Sequence, residues 1–235
     1  MNLLLFSETD RIGSDRIRLH DYRLKHLQDV INANEGDRLR VGEIDGRMGE
    51  AELVRIAPDE AILDVSLNQD PPDKLPLSLV LALPRPKMLR RILRTVAELG
   101  VSELHLINSY RVEKSFWQSP VLDSTVIDDY FLEGLAQSRD TVLPRCTFHK
   151  RFKPFVEDVL PSMLQGRKGL LAHPGEHPPC PRSIEKACVL VIGPEGGFIP
   201  YEVEKANEAG CTTVSLGPRI LRVENAVSAL VSQLY

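Results

Sequence analysis

"VIGPEGGF", Val191–Phe198, ends an apolar run in a turn made mostly of glycine and proline, with one carboxylate, Glu195. A short apolar run closed by such a turn predicts a buried strand. Pro200 then opens a helix, with Glu202 and Glu204 near its start and Gly210 at its end. Strand, bare turn and helix in that order belong to an α/β sheet, in which ligands bind beyond the carboxyl ends of the strands. Glycine at 193, 196 and 197 lets backbone approach a ligand with no Cβ between. The same glycines equally serve a tight turn. The spacing is not GxGxxG and no Gly-Lys-Ser/Thr follows, which argues against dinucleotide enzymes and phosphate-loop NTPases.

Two neighbouring stretches have the same form. "SLGPRILRVENA", Ser215–Ala226, runs from a strand through Gly217-Pro218 into the last helix and carries Arg219, Arg222 and Glu224. "LLAHPGEH", Leu170–His177, ends a strand in His173-Pro174-Gly175. Three such strand ends are expected to converge on one pocket. His173–His177 also matches the zinc string HxxEH, but that motif works only on a helix. Pro174 and Gly175 inside it, and Pro178-Pro179 after it, exclude one. No metal site is expected.

Further out, "LSLVLALP" predicts a strand and "PKMLRRILRTVAELG" a helix with Met88, Ile92, Val96 and Leu99 inward and Gly100 as its stop. "VSELHLINS" predicts a strand and "VLDSTVIDDYFLEGLAQS" a helix. Strand alternating with helix implies a mostly parallel sheet. "NQDPPDKLP", Asn68–Pro76, reads as a connection between domains. The expected division is 1–70 and 74–235. The first part alternates apolar and polar residues between turns such as Asp45-Gly46, predicting a small barrel or sheet. "DYRLKHLQDVIN" is expected to be helical, with Leu24, Leu27, Val30 and Ile31 on one side.

The bulk numbers exclude several classes. The chain has 235 residues, 43% hydrophobic and 26% charged, ordinary for a globular protein. No apolar run reaches the roughly 18 residues a membrane span needs. "MNLLLFSETD" does not read as a signal peptide. Cys146, Cys180, Cys188 and Cys211 show no CxxC spacing, so free thiols in a reducing cytoplasm are expected. A net charge of −4 argues against nucleic acid coating the whole surface. It leaves room for local basic faces, such as Arg85–Arg94 and Arg145–Lys153.

"IGPEGGF" followed by "LGPRILRVENA", with "AELGV" at Ala97–Val101 and Ser109-x-Arg111, resembles the ribosomal RNA small subunit methyltransferase E family over nearly the whole chain. The family's "LRTETA" reads "LRVENA" here, placing Val223 and Asn225 where threonines stand. The resemblance implies a C-terminal trefoil-knotted SPOUT α/β domain with a small N-terminal PUA-like β-barrel domain that binds RNA. It implies a homodimer that methylates N3 of a uridine in 16S ribosomal RNA or the small ribosomal subunit. The implied cofactor is S-adenosylmethionine, held by Leu171, His173, Ile192, Gly193, Gly196, Leu216, Gly217, Ile220 and Leu221.

Uridine N3 carries a proton and becomes nucleophilic only when that proton leaves. Arg222 is the candidate to stabilise the anion, with Arg219 second, and Glu195 or Glu224 could accept the proton. Glu224 could instead complement a helix dipole, and Glu195 could hold its turn. Given the family, Arg85, Lys87, Arg90, Arg91, Arg111 and Arg219 are expected to contact RNA phosphates. Phe116 and Trp117 could stack on a base, or serve a core or dimer contact. Two other readings stand beside this one: a knotted methyltransferase with a different RNA target, and a silent RNA-binding relative.

Overall fold

The computed structural model describes residues 2–235 and divides them into two compact units. The first holds the chain up to Asp73 together with Leu132–Leu143; the second holds Lys74–Phe131 and Pro144–Tyr235.

In the first unit, β1 (Leu4–Phe6), β2 (Arg11–Gly13), β3 (Arg16–Leu19), β4 (Arg38–Glu43), β5 (Met48–Ile56) and β6 (Ala61–Gln69) form one sheet in the order β1-β4-β5-β6-β3-β2. The β1–β4 pair is parallel and the other pairs are antiparallel. Period-two alternation turns Ala51 and Leu53 of β5, and Ala61, Leu63 and Val65 of β6, into one core with Phe6, Ile17 and Leu19. The segment Tyr22–Lys25 (α1) continues as a π-helical turn, His26–Ile31. Leu24 and Leu27 are buried, but Val30 and Ile31 are 65% and 42% exposed. The wider π turn rotates the last residues off the core side that 3.6-residue spacing assigned to them. Beside it, Arg23 donates to both carboxylate oxygens of buried Asp10, at 2.8 and 2.7 Å, and also to Asp21.

This unit is not contiguous in sequence, as a division into 1–70 and 74–235 would have it. The N–H groups of Asn2 and Leu3 donate to the Ala136 carbonyl, and Thr141 Oγ1 donates to the Gly46 carbonyl at 2.6 Å. Composition marks the proline-rich connection but carries no mark for a segment that returns through hydrogen bonds.

The second unit contains β7 (Leu75–Ala82), β8 (Val101–Ile107), β9 (Arg145–His149), β10 (Lys168–Ala172), β11 (Cys188–Ile192) and β12 (Thr212–Val214). They form an all-parallel sheet in the order β12-β10-β11-β7-β8-β9. Its central strands are nearly continuous apolar runs, as burial on both faces requires; every residue of β11 is buried. The α-helices from Lys74 onward are α2 (Pro86–Glu98), α3 (Ser124–Ser138, whose residues from Leu132 belong to the first unit), short α4 (Phe152–Pro154) and α5 (Leu160–Met163), α6 (Pro200–Glu208) and α7 (Val223–Leu234). Helix α2 packs on β8 and α7, while α6 packs on β10 and β12.

Two sequence expectations shift. Helix α2 buries Leu89, Ile92, Leu93, Val96 and Ala97, whereas Met88 and Leu99 are only half-buried. The basic stretch 145–153 begins as the edge strand β9, because β8 offers it an unpaired side to extend. Among the described residues, no helix is long and apolar enough to cross a membrane.

Candidate active site

A cavity of about 540 Å³ lies at the carboxyl ends of the strands in the second unit, within the size range of small-molecule sites. Its wall comes from four strand ends. β10 contributes Ala172, His173 and Pro174; β11 contributes Ile192–Glu195 and Gly197; β12 contributes Val214–Gly217. Arg219–Glu224 follow, with Ala226 and Leu230 on the apolar side of α7. The fourth end is β7, whose exit into α2 supplies Arg85 and Met88. Strands β10, β11 and β7 are consecutive neighbours in the sheet, and β12 lies beyond β10, so their exits meet on one edge.

Of the residues expected to hold a cofactor, His173, Ile192, Gly193, Leu216, Gly217, Ile220 and Leu221 line the cavity. Two do not. Leu171 is fully buried within β10, and its neighbour Ala172 forms the wall, because successive strand side chains face opposite sides. Gly196 faces elsewhere: a Cβ there would meet Arg111 Cδ at 3.0 Å. Arg111 Nη1 donates to the Gly196 carbonyl. The bare turn therefore serves several separate needs. Gly193 makes room for the Phe198 ring, Gly196 for Arg111, and Gly197 takes φ +74°, closing the turn by donating to the Pro194 carbonyl at 2.7 Å.

The charged candidates sort themselves by position. Arg85, Arg219 and Arg222 line the cavity, as do Glu195 and Glu224. Glu195 Oε1 accepts the Arg85 N–H at 3.1 Å, which ties the β11 turn to the start of α2. Arg222 is the N-cap of α7 in extended conformation and Glu224 lies in that helix's first turn. Among the described residues, the Arg222 guanidinium has no hydrogen-bond or ion-pair partner. Lys87, Arg90 and Arg91 are exposed on α2 outside the cavity wall. Arg94, in the same run, lies over the Tyr130 ring at 4.6 Å.

The His173 ring is pushed down from the usual imidazole value, first by burial and then by His177 and Arg111 nearby. The shift favours the neutral ring. Residues 173–177 form bends, not a helix, with Gly175 at φ +132°. Among the described residues, no group of three or more His, Cys, Asp or Glu side chains is arranged to hold a metal.

Sequence reasoning missed the β7 exit. Its signal was present: Pro84-Arg85-Pro86 after an apolar strand is the same kind of proline turn as the other three. It also missed the unspent backbone of the last loop. Among the described residues, the N–H groups of Leu216, Gly217, Arg219, Ile220 and Leu221 donate to no other backbone group. The cavity thus combines apolar walls with a lining loop whose backbone N–H groups are not spent on other backbone, as suits a small ligand with both apolar and polar parts.

An RNA methyltransferase domain family matches residues 71–235. The ribosomal RNA small subunit methyltransferase E of Treponema pallidum is 28% identical over 97% of this chain and 88% of its own length. That of Synechocystis is also 28% identical, over 96% and 74%. Among solved structures, the ribosomal RNA small subunit methyltransferase E of Neisseria gonorrhoeae bound to S-adenosyl methionine superposes with a TM-score of 0.75, covering 98% of this chain and 95% of that one at 20% identity. A Legionella pneumophila structure with bound cofactor SAM gives 0.76 over the same shares, also at 20% identity. The cavity at the strand ends lies inside the matched region, and the chain belongs to the RNA methyltransferase domain family.

Proposed function

We propose that the protein methylates N3 of a uridine in 16S ribosomal RNA with S-adenosylmethionine, using the cavity at the strand ends. The observation that carries this reading is the meeting of four strand exits on one cavity of about 540 Å³ with arginines in its wall, in a chain of the RNA methyltransferase family. The residues present fit the cofactor. Ile192, Leu216, Ile220 and Leu221 offer apolar surface to an adenine, and the N–H groups of Leu216, Gly217, Arg219, Ile220 and Leu221 are available as donors. When bound, S-adenosylmethionine supplies an electrophilic methyl group on a sulfonium.

The chain's own residues supply the rest. Arg222, unpaired at the cavity, presents a guanidinium to an oxygen beside N3 that carries charge when N3 loses its proton. Glu224, in the first turn of the same helix, and Glu195, which accepts the Arg85 N–H, are the candidate carboxylates to take that proton. Arg85, Arg111 and Arg219 hold RNA phosphates around the opening, with Lys87, Arg90 and Arg91 extending the basic face along α2.

The resemblance supports a homodimer that acts in the cytoplasm on ribosomal RNA or the small subunit. It also supports a PUA-like barrel role in RNA binding for the first unit, and a trefoil knot at the cavity. Hydrogen bonds along the connection after β10 agree with the knot. The Cys180 N–H donates to the Ser215 carbonyl, and Ser183 and Ile184 donate to Gln233 and Leu234 at the end of α7.

The test is calorimetric binding of S-adenosylmethionine, followed by mass analysis of nucleosides from small subunits incubated with the protein. N3-methyluridine formed only with both protein and cofactor supports the reading. Methylation at another base moves the protein to a different RNA target. Failure to bind S-adenosylmethionine with or without RNA leaves an RNA-binding relative.

A further inference from the structure

The connection after β8, Asn108–Val112, is fastened at each residue. Asn108 donates its N–H to the His149 carbonyl at 2.9 Å and accepts from Trp117 Nε1 at 2.9 Å. Ser109 is buried, and its carbonyl accepts the Val112 N–H at 3.1 Å. The Tyr110 N–H donates at 2.7 Å to Oε1 of Glu202, a carboxylate in a residue only 3% exposed. Glu202 spends its other oxygen on the Ile199 N–H at 3.0 Å, so it joins this loop to the start of α6. Arg111 is held to the Gly196 carbonyl, between two cavity-wall residues, Glu195 and Gly197.

The buried Ser109 hydroxyl has no partner among the described residues, and at the surface of this loop a large aromatic is left without packing. The Tyr110 residue is 79% exposed, an aromatic ring in water on rigid backbone. Apolar packing does not account for it, and the buried carboxylate that holds its backbone is itself satisfied by two backbone N–H groups, so the position is well fixed. Beside it, Arg111 uses one nitrogen on Gly196 and keeps further donors. An exposed aromatic on tethered backbone, one residue before an arginine bound to the cavity-wall turn, matches the two faces of a single-stranded nucleotide: a base to stack on and a phosphate to pair with.

We infer that Tyr110 is a substrate-specificity residue that stacks on an unpaired base of the RNA strand, with Arg111 gripping the adjoining phosphate. This deepens the RNA-modifying reading above and rests on it. Uridine N3 lies on the Watson–Crick edge and is occupied in a duplex, so its modification requires an unpaired nucleotide. A stacking platform beside the cavity holds the strand in that state.

The experiment measures binding of a single-stranded, uridine-containing RNA oligomer and of its duplex form to wild type, Tyr110→Ala, Tyr110→Phe and Tyr110→Trp. Cofactor binding, methyl-transfer kinetics and solution mass are measured in parallel. Tyr110→Ala is expected to bind the single strand about ten- to a hundredfold more weakly, with KM for RNA rising and cofactor affinity unchanged. Phe and Trp should restore binding, since both keep a ring to stack. An unchanged affinity in Tyr110→Ala, or failure of Phe to rescue it, would overturn the inference. A lower solution mass for Tyr110→Ala would also overturn it, assigning the ring to a second copy of the chain. RNA binding is read without turnover. A wild type that stacks RNA but transfers no methyl group would therefore sink the enzymatic reading and leave this one standing.

Discussion

Arg222 sits at the cavity with no protein partner, so its charge is available to a developing anion. Replacing it by alanine should lower single-turnover methyl transfer by about a hundred- to a thousandfold and leave the S-adenosylmethionine Kd unchanged. Lysine should rescue only in part, because an ammonium is a point charge on a flexible stem and lacks the fixed donors of a guanidinium. A large change in cofactor Kd would instead make Arg222 a cofactor ligand. Gly196 offers a second test at this scale. Alanine there places a Cβ 3.0 Å from Arg111 Cδ and must displace that side chain. RNA affinity should fall several-fold while cofactor affinity holds, measured by titration of each ligand. The reverse pattern would return Gly196 to the cofactor.

At the scale of elements, Glu202 joins the loop after β8 to the start of α6 by accepting two backbone N–H groups. Glutamine keeps one acceptor oxygen but turns an amide N–H₂ toward a backbone donor. The variant should lose about 1–3 kcal/mol of stability in urea unfolding. Hydrogen exchange should quicken at the Tyr110 amide before the sheet opens. Unchanged exchange there would mean that the loop is held by its other contacts alone. The π turn in the first unit carries a related lesson. Leu24 and Leu27 follow helical spacing into the core, and Val30 and Ile31 do not, because backbone hydrogen bonding changed register between them.

For the whole molecule, acid stability reports on the buried ion cluster of the first unit. Burial by itself would raise the Asp10 carboxyl, but hydrogen bonds from Arg23 and the Ser7 N–H outweigh it and hold the group below its ordinary value of 3.8. A depressed folded-state value means that the unfolded chain binds more protons in that window. The stabilisation is therefore present at neutral pH and fades as pH falls below about 4. Thermal unfolding from pH 7 down to pH 3 should show this loss in wild type, and Asp10→Asn should be less stable at pH 7 with a flatter acid limb. Arg23→Ala leaves two carboxylates facing each other and should cost about 3 kcal/mol or more. A ligand adds the opposite effect: S-adenosylmethionine at a hundred times its Kd should stabilise the protein by about 2.7 kcal/mol, read as a rise in Tm.

Most strands and helices of the second unit, and the alternation that makes an α/β sheet, were legible from the sequence, because burial period and turn chemistry are local properties of Val191–Phe198 and its neighbours; β9, α4 and α5 were not. So were most of the cavity residues, since the strand-end turns after β10, β11 and β12 announce themselves in glycine and proline. What only the tertiary structure decided were the meetings between distant residues. Leu132–Leu143 joins the first unit through hydrogen bonds across more than 90 residues of chain. Met88 leaves the core side of α2 to line a wall, and Gly196 is bare for Arg111 and not for the cavity. The physical reason is common to all three. Propensity and periodicity report how a residue relates to its own element, whereas the occupant of the space beside it is set by sheet order, which brings β7, β11, β10 and β12 to one edge.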